Sequence, residues 1–177
     1  MSTLLPHGNC YRVAPQLIAG EYPGSSDLLV VQARLLRHLD AGITYFLDLT
    51  GEHEATPYSE LLMALAAGRG IQVVHQRLSI RDFGVPRTPS VMGKILDTLD
   101  AALANQQTVY LHCLGGIGRT GTVVGCWLVR HGQTGEAALA TIAQHWGGVD
   151  KASYQPHSPE TEEQYTYVRT WHEGVPA

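Results

Sequence analysis

A cysteine and an arginine six positions apart, on a run rich in glycine, are the residues of this chain that could act together: His112-Cys113-Leu114-Gly115-Gly116-Ile117-Gly118-Arg119-Thr120-Gly121. The apolar run Val109 to Leu111 before them reads as a buried strand, and the apolar spacing after Arg119 reads as a helix. Glycines in a strand-to-helix turn let successive backbone N–H groups converge on one point, where the helix N-terminus adds partial positive charge. The expected ligand is a phosphate-like oxyanion, held by Leu114, Gly115, Gly116, Ile117, Gly118 and Arg119. Arg119 offers a planar fork of donors that matches two phosphoryl oxygens. A helix N-terminus and a nearby guanidinium also favour the thiolate form of a cysteine, which would make Cys113 a nucleophile.

Other motifs touch the same residues and fail. Gly116 to Gly121 satisfies the dinucleotide G-x-G-x-x-G pattern and Glu136 follows at a suitable distance, but that fold needs a further strand where this chain reads as helices. A nucleotide-binding G-x-x-x-x-G-K-[ST] lacks its lysine. Asp82-Phe83-Gly84 matches a kinase motif in a chain too short for a kinase and without H-R-D.

His112-Cys113, five intervening residues and Arg119-Thr120 resemble the signature loop of the cysteine-dependent protein tyrosine phosphatases, and the compact length is similar to the dual-specificity branch. The resemblance implies a two-step transfer through a cysteinyl-phosphate, with Cys113 as nucleophile, Arg119 on the phosphate, and no metal or other cofactor. It implies that Asp82, in Ile80-Arg81-Asp82-Phe83-Gly84-Val85-Pro86, is the general acid, with Arg81 where many relatives have proline. It implies that Thr120 hydrogen-bonds the cysteine sulfur, and that Ser158 to Tyr165 resembles the glutamine loop, with Gln164 positioning water and Glu160 where a first glutamine would stand. His112 is expected to orient backbone. Read without the resemblance, Cys113 is a buried strand thiol, Asp82 a turn or cap residue and Gln164 a solvated helix residue.

The elements that must position these residues follow from periodicity. Strands are expected at Tyr11 to Val13, Gln16 to Ala19, Ile43 to Leu49, Ile71 to Gln76 and Thr108 to His112. Helices are expected from Asp27 to Asp40 with Leu28, Val31, Leu35 and Leu39 inward, from Thr56-Pro57 with Leu61, Leu62 and Leu65, and from Thr88-Pro89 through Leu99. Three more follow, marked by Val123 to Leu128, by Leu139, Ile142 and Trp146, and by Tyr165, Val168 and Trp171. The fold class is α/β, a small, mostly parallel central sheet flanked by helices, as in the protein tyrosine phosphatases, with residues 1–177 as a single domain.

With 44% hydrophobic and 16% charged residues and net charge −4, the chain has no basic footprint for nucleic acid or anionic lipid. Cys10, Cys113 and Cys126 lack C-x-x-C spacing, so reduced thiols are expected, with Cys10 in an N-terminal loop and Cys126 in the core. Met1 to Gly8 has no basic leader region, so a cytoplasmic protein, not embedded in membrane, is expected. Nine scattered histidines give no metal spacing. Glu21 to Gly24 and Gly51 to Glu54 read as surface loops.

These residues favour a monomer that acts on phosphorylated protein or peptide, at phosphotyrosine and also phosphoserine or phosphothreonine. Apolar Leu114 and Ile117 stand where phosphoinositide-cleaving relatives often carry lysine. The alternatives are a phosphatase for inositol phosphates or an RNA 5′-phosphate, and a phosphate-binding module without turnover. Because the reactive form pairs a deprotonated Cys113 with a protonated Asp82, the rate profile should be bell-shaped with its peak on the acid side of neutral. A flat profile of aryl phosphate hydrolysis from acidic to neutral pH would contradict that pairing.

Overall fold

The computed structural model describes residues 4–173. Met1 to Thr3, part of the leader reading, and the last four residues of the 1–177 domain lie outside the described residues. Five strands, β1 (Cys10–Ala14), β2 (Leu17–Gly20), β3 (Tyr45–Asp48), β4 (Val74–Arg77) and β5 (Val109–His112), form one sheet in the order β1-β2-β5-β3-β4. Only β1 with β2 is antiparallel; β2 with β5, β5 with β3, and β3 with β4 are parallel. Cys10 therefore opens a strand instead of lying in a loop.

Alternate residues of each strand face opposite helical layers. Ile18, Phe46 and Tyr110 pack with Val31, Leu35 and Leu39 of α1 (Leu28–Asp40) and Leu62 and Ala66 of α2 (Ser59–Gly68). Leu17, Ala19, Leu47, Val109 and Leu111 pack on the other side, against α3 (Pro89–Ala104), α4 (Gly118–Arg130), α5 (Gly135–Trp146) and α6 (Glu162–Thr170). Cys113 continues the second set and His112 the first, so nucleophile candidate and histidine point to opposite faces of the sheet.

Local boundaries differ from the periodicity where a tertiary contact wins. Asp27 caps α1 through bonds to Leu29 N and Val30 N, but Leu28 is 65% exposed: the first turn projects past the packed layer, and buried His38 joins Val31, Leu35 and Leu39 on the inner face. The helix expected from Thr56-Pro57 begins at Ser59, because the Thr56 carbonyl accepts from Tyr22 OH (2.9 Å) and Tyr58 turns inward. Ile71 N–H bonds to Ala66 O (2.9 Å) and closes α2, so β4 starts only at Val74. Trp171 lies just beyond α6.

What matters for the site is the carboxyl edge of the parallel strands. Gly20, His112, Asp48 and Arg77 stand side by side in register there. The segments that follow them, after β2, β5, β3 and β4, converge on one end of the sheet, the usual place for a ligand in an open α/β fold.

Candidate active site

Strand β5 delivers Cys113, 3% exposed, into the turn that opens α4. Four of the turn's carbonyls are engaged by other groups. His112 Nδ1 donates to Cys113 O (3.1 Å), Tyr22 N–H to Leu114 O (3.0 Å), Lys151 Nζ to Gly115 O (2.9 Å) and Ser158 Oγ to Ile117 O (2.8 Å). Among the described residues, no amide from Leu114 to Arg119 donates to a protein acceptor. Carbonyls held outward and amides left free make an anion cradle, reinforced by the N-terminus of α4, which has no side-chain cap. Gly116 is needed twice over: its φ is +73°, and an added Cβ would lie 2.5 Å from Gly20 C. Leu114 is 42% exposed on the rim, while Ile117 packs against the core.

Behind the cradle, His112 is fully buried. A carbonyl can only accept, so Nδ1 carries the proton; Nε2 then accepts from Tyr58 OH at 2.6 Å. Burial holds the ring neutral and pushes its pKa down to about 4, against the pull of Asp48. Asp48, also fully buried, accepts from Thr50 N–H (2.8 Å), Thr50 Oγ1 (2.6 Å), His75 Nε2 (3.1 Å) and Arg77 Nη2 (3.0 Å). Burial alone would raise its carboxyl; bonds from His75 and Thr50 and the field of His112 bring it well below the usual range.

Arg119, 1% exposed, is gripped by Glu54 on both arms: Nη1 to Oε2 at 2.8 Å and Nη2 to Oε1 at 2.5 Å. Its Nη1 also donates to Ile80 O (3.2 Å). The guanidinium holds Glu54 below the ordinary carboxylate range, and Gly51 N–H bonds Glu54 Oε2 at 2.8 Å. Glu54 was hidden in a segment that reads as a surface loop, as was Tyr22, buried against Tyr58 and His112. Glu21 of that first loop ion-pairs with Lys151 Nζ at 2.6 Å. The signal that could have found Glu54 is its place directly after the strand that neighbours β5.

Asp82 lies with Oδ1 2.9 Å from Arg119 Nη2 and its side chain is 46% exposed. Its loop bends sharply, with Phe83 at φ +56° and Phe83 N–H donating to Asp82 Oδ1 (3.1 Å). Gln164 is buried, not solvated: Nε2 donates to Gly84 O (3.0 Å) and Oε1 accepts from Glu160 N–H (3.0 Å) and Thr161 N–H (3.1 Å). Its amide thus ties α6 to the Asp82 loop. Burial and the nearby Asp82 charge raise the Glu160 carboxyl. The bond expected from Thr120 to the cysteine sulfur is not formed; Thr120 Oγ1 is buried in the first turn of α4 without a partner among the described residues.

The other thiols stand apart from this chemistry. Cys10 donates to His7 O (3.0 Å) and burial pushes it up to about 11; Cys126 is buried in α4 and also pushed up. All three cysteines are free, and no cluster of three or more metal-binding side chains occurs among the described residues.

Residues 23–133 match the family described as "Tc-R-P: Polymorphic toxin system, DSP-PTPase phosphatase". Protein 067L of Invertebrate iridescent virus 3, named as a tyrosine phosphatase, is 29% identical over 125 residues, which cover 66% of this chain and 43% of that protein. The chain thus spans less than half the length of that curated relative. Among solved structures, Tk-PTP in its active form superposes with TM-score 0.66 at 23% identity, covering 90% of this chain and 92% of the other. The catalytic core of the PP-IP phosphatase SIW14 from S. cerevisiae, in complex with citrate, gives TM-score 0.66 at 16% identity over 96% and 89%.

Two outcomes follow from this geometry. The folded pKa of His112 is about 4 against 6.5 for a free histidine, so between these values the unfolded chain binds the extra proton, and stability is full above pH 6.5 and declines as pH falls toward 4. Melting temperatures across that range should fall, and less steeply for His112→Gln; a level profile for the native chain would contradict a buried neutral imidazole. Gly116→Ala should lower unfolding free energy by about 1–3 kcal/mol in a denaturant titration, from the left-handed backbone it must adopt.

Proposed function

The chain belongs to the DSP-PTPase phosphatases of polymorphic toxin systems, hydrolases of phosphate esters, and from that premise we propose that it dephosphorylates phosphotyrosine on proteins, with Cys113, Arg119 and Asp82 as the working residues. One observation carries the reading: a buried cysteine at the base of an amide cradle, with a buried arginine whose Nη2 lies 2.9 Å from a half-exposed carboxylate on a separate loop.

In the first step the Cys113 thiolate attacks phosphorus, an S–P bond forms and the bond to the tyrosine oxygen breaks. The cradle amides and Arg119 hold the equatorial oxygens, whose charge they match better in the transition state than water could. A phosphoryl group that takes Arg119 Nη2 displaces Asp82 from it, and the freed carboxyl group, protonated, gives its proton to the departing phenolate. In the second step Asp82 takes a proton from water, the oxygen attacks phosphorus, and the S–P bond breaks to release phosphate and the thiolate. Glu54 keeps the Arg119 plane fixed through both steps. Thr120 is positioned to serve the departing sulfur only if its hydroxyl turns toward Cys113.

The substrate class rests on depth and polarity. Cys113 is 3% exposed, which suits the long reach of an aryl phosphate. Exposed Phe83 and Leu114, one on each loop that carries a reacting group, offer apolar surface to an arene, whereas an inositol phosphate would need cations at Leu114 and Ile117. Residues 1–177 act in this reading as one catalytic domain, a cytoplasmic monomer whose partner is its phosphorylated substrate. No described helix is long and apolar enough to cross a membrane.

Hydrolysis of a generic aryl phosphate in excess chelator tests the assignment. Activity should persist in the chelator, vanish in Cys113→Ser, and fall about 10²–10⁴-fold in kcat with little change in binding in Asp82→Asn. Activity retained by Cys113→Ser would overturn the cysteinyl-phosphate route, and an inactive native chain that still binds phosphate would mark a binding module.

A further inference from the structure

Beside the cradle, past Asp82, lies a cavity of about 520 Å³ between the loop after β3 and the loop before α3. Its size falls in the range of ordinary ligand pockets. Four charged groups face it: Glu54 from the first loop, and Arg81, Asp82 and Arg87 from the second. Both acids are already engaged by Arg119, Glu54 through two hydrogen bonds and Asp82 through an ion pair. Among the described residues Arg81 and Arg87 enter no ion pair, and both are exposed. The first turn of α3, which contributes Val91 to the wall, carries no acidic side chain, and the Thr88 hydroxyl bonds Ser90 Oγ (2.8 Å) instead of capping the helix. A chain of net charge −4 therefore keeps two unspent guanidinium groups next to its phosphate site. Of the remaining wall, Ile80, Val85, Pro86 and Val91 are apolar, beside Gly51 and a Ser79 whose hydroxyl is spent on Thr50 O.

We propose that this cavity is a second anion subsite, and that the substrate is a peptide bearing another anionic group, phosphoryl or carboxylate, close to its phosphotyrosine. The inference rests on the phosphotyrosine reading above and narrows it. Guanidinium groups take either anion through two parallel hydrogen bonds. The apolar wall favours peptide over inositol phosphate, which has no apolar surface to bury there. When the scissile phosphoryl group occupies Arg119 and frees Asp82, Arg81 and Arg87 remain to hold the second anion and fix the peptide's direction across the loop. Because both arginines are exposed, the attraction is screened by salt.

Three phosphotyrosine peptides test it: one with neutral neighbours, one with glutamates and one with a second phosphoryl group, each assayed with the native chain, Arg87→Ala and the Arg81→Ala/Arg87→Ala pair. The native chain should favour the anionic peptides about tenfold in kcat/KM, through KM, with the preference reduced in Arg87→Ala, lost in the double variant and weakened by salt. Aryl phosphate hydrolysis by Arg87→Ala should match the native rate. Equal kcat/KM for all three peptides, or a preference that survives the double substitution, would overturn the subsite, and preference for an inositol polyphosphate over every peptide would overturn its peptide occupant. Calorimetric titration of the same peptides into Cys113→Ser reads the subsite without turnover. A binding preference there, alongside an inactive native chain, would sustain the subsite while rejecting the catalytic reading.

Discussion

A loop that aims all its amides at one point must send its carbonyls the other way, and each carbonyl then needs a donor away from water. This requirement accounts for residues scattered over the whole chain. His112, the Tyr22 amide, Lys151 and Ser158 come from four different segments, yet each serves one carbonyl of the 113–118 turn. An unserved buried carbonyl costs roughly 1–3 kcal/mol, enough to let the turn relax toward some other conformation. The cradle is thus held open by hydrogen bonds on its outer side, before any anion arrives. The central place of β5 in the sheet makes this possible, because it puts the turn within reach of segments on both sides.

The second constraint is charge burial. Arg119 is sealed from water, and a guanidinium there needs a carboxylate; Glu54 answers both arms and leaves the plane fixed. Asp48 presents the same difficulty with the opposite sign one strand away, and is met by Thr50, His75 and Arg77. Both solutions use the row of residues in register at the carboxyl edge of the sheet and the loops that leave it. The Tyr58–His112 bond, with the Tyr58 ring packed edge-on against His75, then links the Asp48 group to the backbone of Cys113.

Sequence showed the strands, the helices and the Cys113–Arg119 pair because these depend on local spacing: a period of 2 or 3.6, or a fixed number of residues within one turn. Glu54 and Tyr22 depend on strand order, and Lys151 on the docking of the segment after α5 against Gly8 and Asn9, which no local pattern contains. That β3 and β2 flank β5 is decided by packing, and only then does it follow that Glu54 and Tyr22 border the cradle. The shorter β4 and the late start of α2 have the same origin, since Ile71 closes a helix and Tyr58 turns toward His112. Leu28 errs in the other direction: its spacing suits the inner face, but the layer it would join ends before the first turn of α1. That Asp82 stands beside Arg119 was legible through its motif, whereas the role of Gln164 as a tie between loop and helix required the cap geometry of α6.

That tie changes how motion of the Asp82 loop should be understood. Gln164 is at once the third residue of α6, completing its capping box with Thr161, and the donor to Gly84. Glu160 and Thr161 share its amide oxygen, so the side chain cannot follow the loop outward without abandoning the helix end. Departure of the loop must either break the bond to Gly84 or fray the first turn of α6. The loop therefore behaves less as a free flap than as one side of a small cooperative unit, whose opening is a local unfolding event with its own free energy. Its pace is set by the strength of a helix cap on another segment, a route by which substitutions remote from the phosphate could govern turnover.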